Sequence, residues 1–405
     1  MNILLIGNGF DLAHGLPTTY MDFLEFCKRA NRIFSYSPEI QIQRYQHDTL
    51  DDWKANVYIK GVLRNVFLER NHIDSCSDEM IKTYYAHLDE FYKITKDNFW
   101  IKYFSNDKTH VAGNWIDFES EISKIIRPIA DTMCGLETKF SLYDKVSKWS
   151  NDFLENYFSI NIGITYGELR DILLLDLNKL IRAFEIYLTE FVERIDIKRR
   201  SPNIEGIMEQ GIDCVLSFNY THTFLKEYVE SKNTEEGQKV SKVSFDYIHG
   251  ETGKSENNMV LGIDEYLKGE DARKNVEFIA FKKYFQRIHK GTGCKYKEWL
   301  DIINEDFRNL NDDSEKQRLI QALYQQWYHL HIFGHSLDIT DKDILKDLIL
   351  TEGIFTTIYY RNLDQKGQQI ANLVKVIGPD ELIRRTGGGS ARTIEFISQK
   401  EMVEK

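Results

Sequence analysis

With 405 residues the chain exceeds one average domain of ~100–200 residues, long enough to bury a full core and still carry an inserted one. Its 42% hydrophobic and 28% charged residues are ordinary globular usage, which excludes a disordered scaffold. A formal charge of −11 argues against a broad nucleic-acid-binding face, because such a face needs lysine and arginine to displace counterions from phosphates.

Residues Asn2 to Ile6 form a short apolar run closed by Gly7, the pattern of a strand buried on both faces of a parallel sheet. The run is too short for the core of a signal peptide, and no window approaches the ~20 apolar residues of a membrane span. In the turn that follows, Gly7-Asn8-Gly9-Phe10-Asp11, two glycines permit a tight backbone that can bring amides up to a pyrophosphate. Leu12 stands where a dinucleotide fingerprint has its third glycine, so a structural turn with Asp11 as a cap stays equally open. Thr19 and Asp22, just after Pro17, have the spacing of a capping box at a helix start. Beyond them glycine is sparse and apolar residues recur at helical spacing, as in Tyr20, Phe23, Leu24 and Cys27, or Ile122, Ile125, Ile126 and Ile129. The pattern predicts an α-helical insertion over residues 20–205. Within it, Asn114-Trp115-Ile116-Asp117-Phe118-Glu119 is either an acidic helix start or a pocket wall lined by Trp115, Asp117 and Glu119.

Strand-like runs resume at Cys214–Phe218, Val243–Ile248, Met259–Leu261, Leu330–Phe333, Phe355–Tyr360 and Leu373–Ile377. Most end at glycine or a polar residue, and open α/β sheets bind ligands at such strand ends. Behind the first of them, Ser217-Phe218-Asn219-Tyr220-Thr221 clusters hydrogen-bonding side chains; Asn219 either meets a ribose hydroxyl or caps the next turn and helix. Tyr247-Ile248-His249-Gly250 sets an ionisable residue at another strand end, about 30 residues after Asn219, where a histidine with a pKa near ~6.5 either accepts a proton or serves a structural role, the commoner one for a lone histidine. In Gly334-His335-Ser336-Leu337-Asp338-Ile339-Thr340-Asp341, Ser336 with Asp338 or Asp341 would cap a helix near Thr340, whose N-terminus would attract a phosphate or ribose. A second helical stretch, Asp271 to Trp327, interrupts the later strands. Its locally basic 282–295 portion reads either as a solvated helix and loop or as a small basic site. From Gly387 the chain reads as a flexible or oligomer-contact arm. The core is therefore expected in residues 1–19, 206–265 and 328–380, with helical insertions at 20–205 and 266–327 and a tail at 381–405. The five cysteines are scattered without a CxxC pair, so neither a zinc site nor a disulfide framework is expected, and a reducing cytoplasm fits.

Five blocks in this order, IGNGFDLAHGLPTTYMDFLEF, NWIDFE, SFNYTHTF, YIHG and IFGHSLDITDKDIL, resemble the AbiH family of bacteriophage abortive-infection proteins. The resemblance runs from about Asn2 to Ile377. It implies a role in bacterial defence, in which an infected cell stops growing or dies before phage is released. The family is in turn distantly similar to the sirtuin-type NAD-binding fold, which implies an α/β protein with a Rossmann-like, sirtuin-like parallel sheet and large α-helical insertions. By that resemblance Gly7, Asn8, Gly9, Phe10 and Asp11 take the place of the glycine turn on the cofactor. Asn219, flanked by Ser217 and Tyr220, takes that of the residue on the nicotinamide ribose, and His249 that of the catalytic histidine. Gly334, Ser336 and Leu337 take the place of a Gly-x-Ser motif on the ribose side, with His335 and Asp338 beside them.

The four zinc cysteines of true sirtuins are missing, so the resemblance implies NAD hydrolysis to nicotinamide and ADP-ribose, without a metal, rather than protein deacylation. The transition state would have oxocarbenium character. A non-catalytic NAD or ADP-ribose sensor is the second expectation, and a nuclease or nucleic-acid-binding toxin the third. The expected partners are NAD or a related nucleotide and a second copy or a defence protein, with no membrane.

Overall fold

The computed structural model describes residues 1–106, 117–133, 141–146, 149–158, 163–231, 243–263, 276–311, 328–389 and 391–405. Two compact units emerge, one of Met1–Leu16, Asp196–Glu251 and Gly291–Lys405, the other of Pro17–Ile195 and Thr252–Lys290.

The first unit is built on six strands: β1 (Asn2–Ile6), β2 (Cys214–Ser217), β3 (Ser244–Tyr247), β4 (Tyr328–Phe333), β5 (Ile354–Tyr360) and β6 (Ile394–Ser398). Every pair is parallel, in the order β3-β2-β1-β4-β5-β6. The chain starts at the centre, builds outward through β2 and β3, then crosses back over β1 to β4 and builds outward the other way. That is a Rossmann-like order, and β1 and β4 flank the switch point where such sheets open a crevice at their C-terminal ends.

The unbroken apolar run of β1 follows from burial on both faces. Ile3 and Leu5 join one core with Leu216, Leu330 and Ile332, sealed by the Tyr296–Asn311, Lys342–Leu350 and Leu363–Ile377 helices. Leu4 and Ile6 join the other with Val215, Phe333, Tyr228 and the Pro202–Gln210 helix. Each such fully buried aliphatic side chain contributes about 1.5–3 kcal/mol. Helix ends obey local chemistry: Pro202 opens its helix at a position where no amide is needed, and Asn362 accepts from the Gln365 amide to start the next-to-last one.

Three expectations are corrected. Leu373–Ile377 is the last part of a helix rather than a strand: Leu373 and Val376, three apart, are buried while Val374 and Lys375 are not. Met259–Leu261 forms no strand; it lies in the second unit, where the Gln286 side chain satisfies both the amide and the carbonyl of Leu261. Most of the stretch after Gly387 is not a free arm, since it supplies β6 and then a two-residue ribbon, Val403–Glu404 against Arg199–Arg200. In β6, Ile394 faces the core while Glu395, on the other face, accepts from the Thr357 hydroxyl of β5.

The second unit is helical. The Tyr20–Ser35 helix opens with the expected capping box, the Thr19 hydroxyl and Asp22 side chain each accepting from the other's amide. Its core is aromatic: Phe26 packs edge-on against Phe91 at 5.2 Å, and tilted against Tyr187 and Phe191 at 4.8 and 4.7 Å. Here too lies the basic 282–290 stretch, and its lysines turn inward. Lys283 is buried in an ion pair with Glu119, and Lys290 donates to the Met259 carbonyl. No helix among the described residues is long and apolar enough to cross a membrane.

Candidate functional site at the C-terminal edge of the sheet

The glycine turn behind β1 leads straight into a short helix, Asn8–Ala13. The Gly7 amide donates to the Phe333 carbonyl at 3.1 Å, the Gly9 amide to the Gly334 carbonyl at 2.8 Å, and the Phe10 amide to the Gly7 carbonyl at 2.8 Å. A Cβ on Gly9 would lie 2.7 Å from the Gly334 oxygen, and one on Gly334 would lie 2.2 Å from the Phe10 nitrogen. Gly334 also has φ of +71°, a conformation that glycine adopts without strain. These glycines let the β1 and β4 loops touch backbone to backbone. The amides of Gly7, Gly9 and Phe10, expected to face a phosphate, are bonded within the chain.

Phe10 is also corrected: it is fully buried and packs edge-on to Phe333 at 6.0 Å, so it anchors the core instead of meeting a ligand. Asp11, buried, accepts a 2.6 Å hydrogen bond from the Thr221 hydroxyl, which in turn accepts from Thr223 at 3.1 Å. It ties the β1 helix to the β2 loop.

At the end of β2, the Ser217 hydroxyl donates to the Asn219 carbonyl (2.9 Å) and accepts from the Asn219 amide (3.1 Å). Ser217 thus shapes the turn that carries Asn219. Asn219 is 4% exposed, and neither its side-chain oxygen nor its nitrogen has a hydrogen-bond partner. It caps nothing. A buried amide left in that state costs about 1–3 kcal/mol, so its persistence calls for a reason.

Around Asn219 the other strand ends gather. The ring of Phe218 lies 4.4 Å from that of His335 and 5.6 Å from that of His249, and Tyr220 lies 6.2 Å from His249. His249, in the turn after β3, is buried, with Nε2 3.6 Å from Asp341 Oδ1. His335, after β4, has Nε2 3.4 Å from Asp341 Oδ2, and its Nδ1 accepts from the Leu337 amide at 2.9 Å. Residues from behind β2, β3 and β4 therefore share one edge, with the β1 turn bonded to the β4 loop. Asp338 takes the capping role left open for it, accepting from the Thr340 amide at 3.1 Å. Ser336 is exposed, and its carbonyl accepts from Asn372.

The acidic cluster expected to line a pocket belongs to the second unit. Asp117 accepts from the amides of Glu119 and Ser120, the geometry of a helix start, and Glu119 pairs with Lys283. Trp115 falls outside the described residues. Three side chains that the sequence did not single out as site residues support the edge: Asp341 between the two histidines, Gln369 on the His335 carbonyl at 3.2 Å, and Asn372 on that of Ser336 at 2.9 Å. Among the described residues, no group of three or more His, Cys, Asp or Glu is arranged to hold a metal ion.

No curated protein and no solved structure matches the chain. One protein-family model does, Bacteriophage abortive infection AbiH, over residues 3–360, a span that includes every strand end of this site. The chain belongs to the AbiH family of bacteriophage abortive-infection proteins.

Proposed function

We propose that this edge of the sheet binds NAD and hydrolyses it to nicotinamide and ADP-ribose, which makes the chain the effector that stops an infected cell. The observation that carries the reading is Asn219, a buried amide with both polar atoms unsatisfied at the ligand-binding end of a Rossmann-like sheet. A ribose hydroxyl can donate or accept, so two neighbouring ribose hydroxyls would satisfy the Asn219 oxygen and nitrogen, one each. His249, 8% exposed with its Nε2 directed at a carboxylate, has the surroundings of a general base. In the reaction, the water oxygen bonds to the ribose carbon that carries nicotinamide and the carbon–nitrogen bond breaks. The electron pair leaves with the nicotinamide nitrogen, and the water proton passes to His249. Nicotinamide is a good leaving group, so positioning by Asn219 and charge stabilisation supply much of the acceleration.

The test is His249→Ala in phage-infected cells, with expression confirmed and NAD measured by mass spectrometry. Loss of a general base lowers rate by ~10²–10⁴-fold, so the variant is predicted to leave NAD intact and to lose protection. A variant that protects at the wild-type level without NAD depletion would reject the hydrolase and leave a nucleotide-sensing module in its place.

A further inference from the structure

The Leu363–Ile377 helix packs one face against the sheet and leaves an apolar seam outside. Gln369, Asn372, Leu373 and Val376 are buried, the last two in the sheet core with Leu345 and Ile358. Away from that face Leu363 is 75% exposed, Ile370 36% and Val374 37%. Together with exposed Gly367 they follow a 4-3-4 spacing, which sets all four along one narrow line of the helix. An exposed apolar line of this kind marks a surface that another chain covers. Gly367 points the same way on separate grounds. Glycine inside a helix is destabilising relative to alanine, and nothing in the fold calls for it here, since a Cβ would meet no atom within 4 Å and φ is not positive. Its missing side chain leaves room for a close approach from outside.

We infer that this seam is a homodimer interface, on which the same helix of a second copy packs antiparallel about a two-fold axis. An axis passing between Gln368 and Gln369 pairs Leu363 with the second copy's Val374 and seats Ile370 over the second copy's Gly367, because both pairs share that midpoint. Each bulky side chain then faces a smaller one or a gap. A parallel alignment would instead oppose Gly367 to Gly367 and leave the gap unfilled. The charges agree with the antiparallel register. Asp364 and Lys375 are exposed, have no ion-pair partner among the described residues, and lie three turns apart on one flank of the seam. A two-fold that reverses the helix brings this flank onto its own copy, so each Asp364 meets the other chain's Lys375. The midpoint of that pair falls one residue further along, a shift of about 1.5 Å. A helix of 15 residues is about 22 Å long, so the contact is at the small end of stable interfaces and its affinity is expected in the micromolar range.

Sedimentation velocity on the full chain at ~1–100 µM reads the association. The wild type is predicted to pass from monomer to dimer across that range. Gly367→Leu fills the gap with a better helix former, so it is predicted to abolish the dimer while keeping or raising the thermal midpoint at ~1 µM, a combination that loss of the fold does not produce. Ile370→Glu, which would bury an unpaired carboxylate between the helices, is predicted to raise the dimer Kd at least ~10-fold. Asp364→Lys sets lysines against each other and is predicted to weaken the dimer about 3–10-fold, and Asp364→Lys with Lys375→Asp to restore it. A wild type that stays monomeric throughout would overturn the inference and leave the seam to a different chain. So would a dimer that Gly367→Leu and Ile370→Glu both leave intact, or a charge reversal that the second substitution does not rescue. Should Ile370→Glu unfold, Gly367→Leu and the exposed charge pair still decide.

Discussion

Asn219 is the residue on which function and stability part company. A buried polar group usually stabilises through its partners, but this amide has none, so its removal costs no hydrogen bond. Asn219→Leu, close in volume and without polar atoms, is therefore predicted to keep or raise the thermal midpoint. A fall of several degrees would assign Asn219 to the architecture. His249 stands differently, with the Asp341 carboxylate beside it, and its replacement is expected to show in rate rather than in binding. Phe10 and Ser217 fall on the structural side of the same division, one by its core packing and the other by its hold on the Asn219 backbone. Both sit in motifs whose composition alone suggested a ligand.

The contact between the β1 and β4 loops sets what those glycines tolerate. A valine at Gly9 would drive Cβ into the Gly334 carbonyl, and an alanine at Gly334 would add backbone strain to a 2.2 Å clash with Phe10. Gly334→Ala is predicted to cost about 3 kcal/mol or more from strain and overpacking together, with Gly9→Val comparably damaging, measured by denaturant unfolding. A folded Gly334→Ala protein of wild-type stability would contradict this packing. At the other end of the sheet, deleting residues 391–405 removes β6 and bares the length of β5. The shortened chain is predicted to aggregate, as long uncovered edges do; a soluble monomer with an unchanged midpoint would return this stretch to the role of a dispensable arm. Much of the sheet was legible in the sequence, because β1, β2, β4 and β5 are short apolar runs closed by glycine or a polar residue. The last strand was not, since its alternation follows a glycine-rich stretch that suggests a loop, and Leu373–Ile377 misled because a five-residue apolar run fits a strand and a buried helical turn equally. At the site, Asn219 and His249 stood out as polar residues at strand ends, whereas Asp341 matters only through a spatial relation to two histidines that no sequence spacing encodes.

On the scale of the whole molecule, buried histidines couple stability to pH. Burial, and secondarily neighbouring His329, lowers the His331 pKa from its ordinary 6.5 to about 4, and neither ring nitrogen is hydrogen-bonded. Burial likewise lowers His14, whose Nδ1 pairs with the Phe10 carbonyl and whose Nε2 pairs with the Tyr228 hydroxyl. Both are neutral in the fold and take up a proton when the chain unfolds in mild acid. The His331 contribution is therefore fully present above pH 6.5 and lost as pH falls toward 4, by up to about 1.4 kcal/mol per pH unit, and His14 acts in the same direction. His331→Phe is predicted to shrink the drop in thermal midpoint between pH 7 and pH 5, and an unchanged drop would refute that origin. The central claim, shared by an effector that consumes NAD and a module that only binds it, is that the Rossmann-like edge around Asn219 is a nucleotide site. Calorimetric titration of NAD into the purified chain and into Asn219→Leu tests it most directly: saturable binding in the wild type, lost in a variant of undiminished stability, is the predicted result, and equal affinity in both, or none in the wild type, would contradict it.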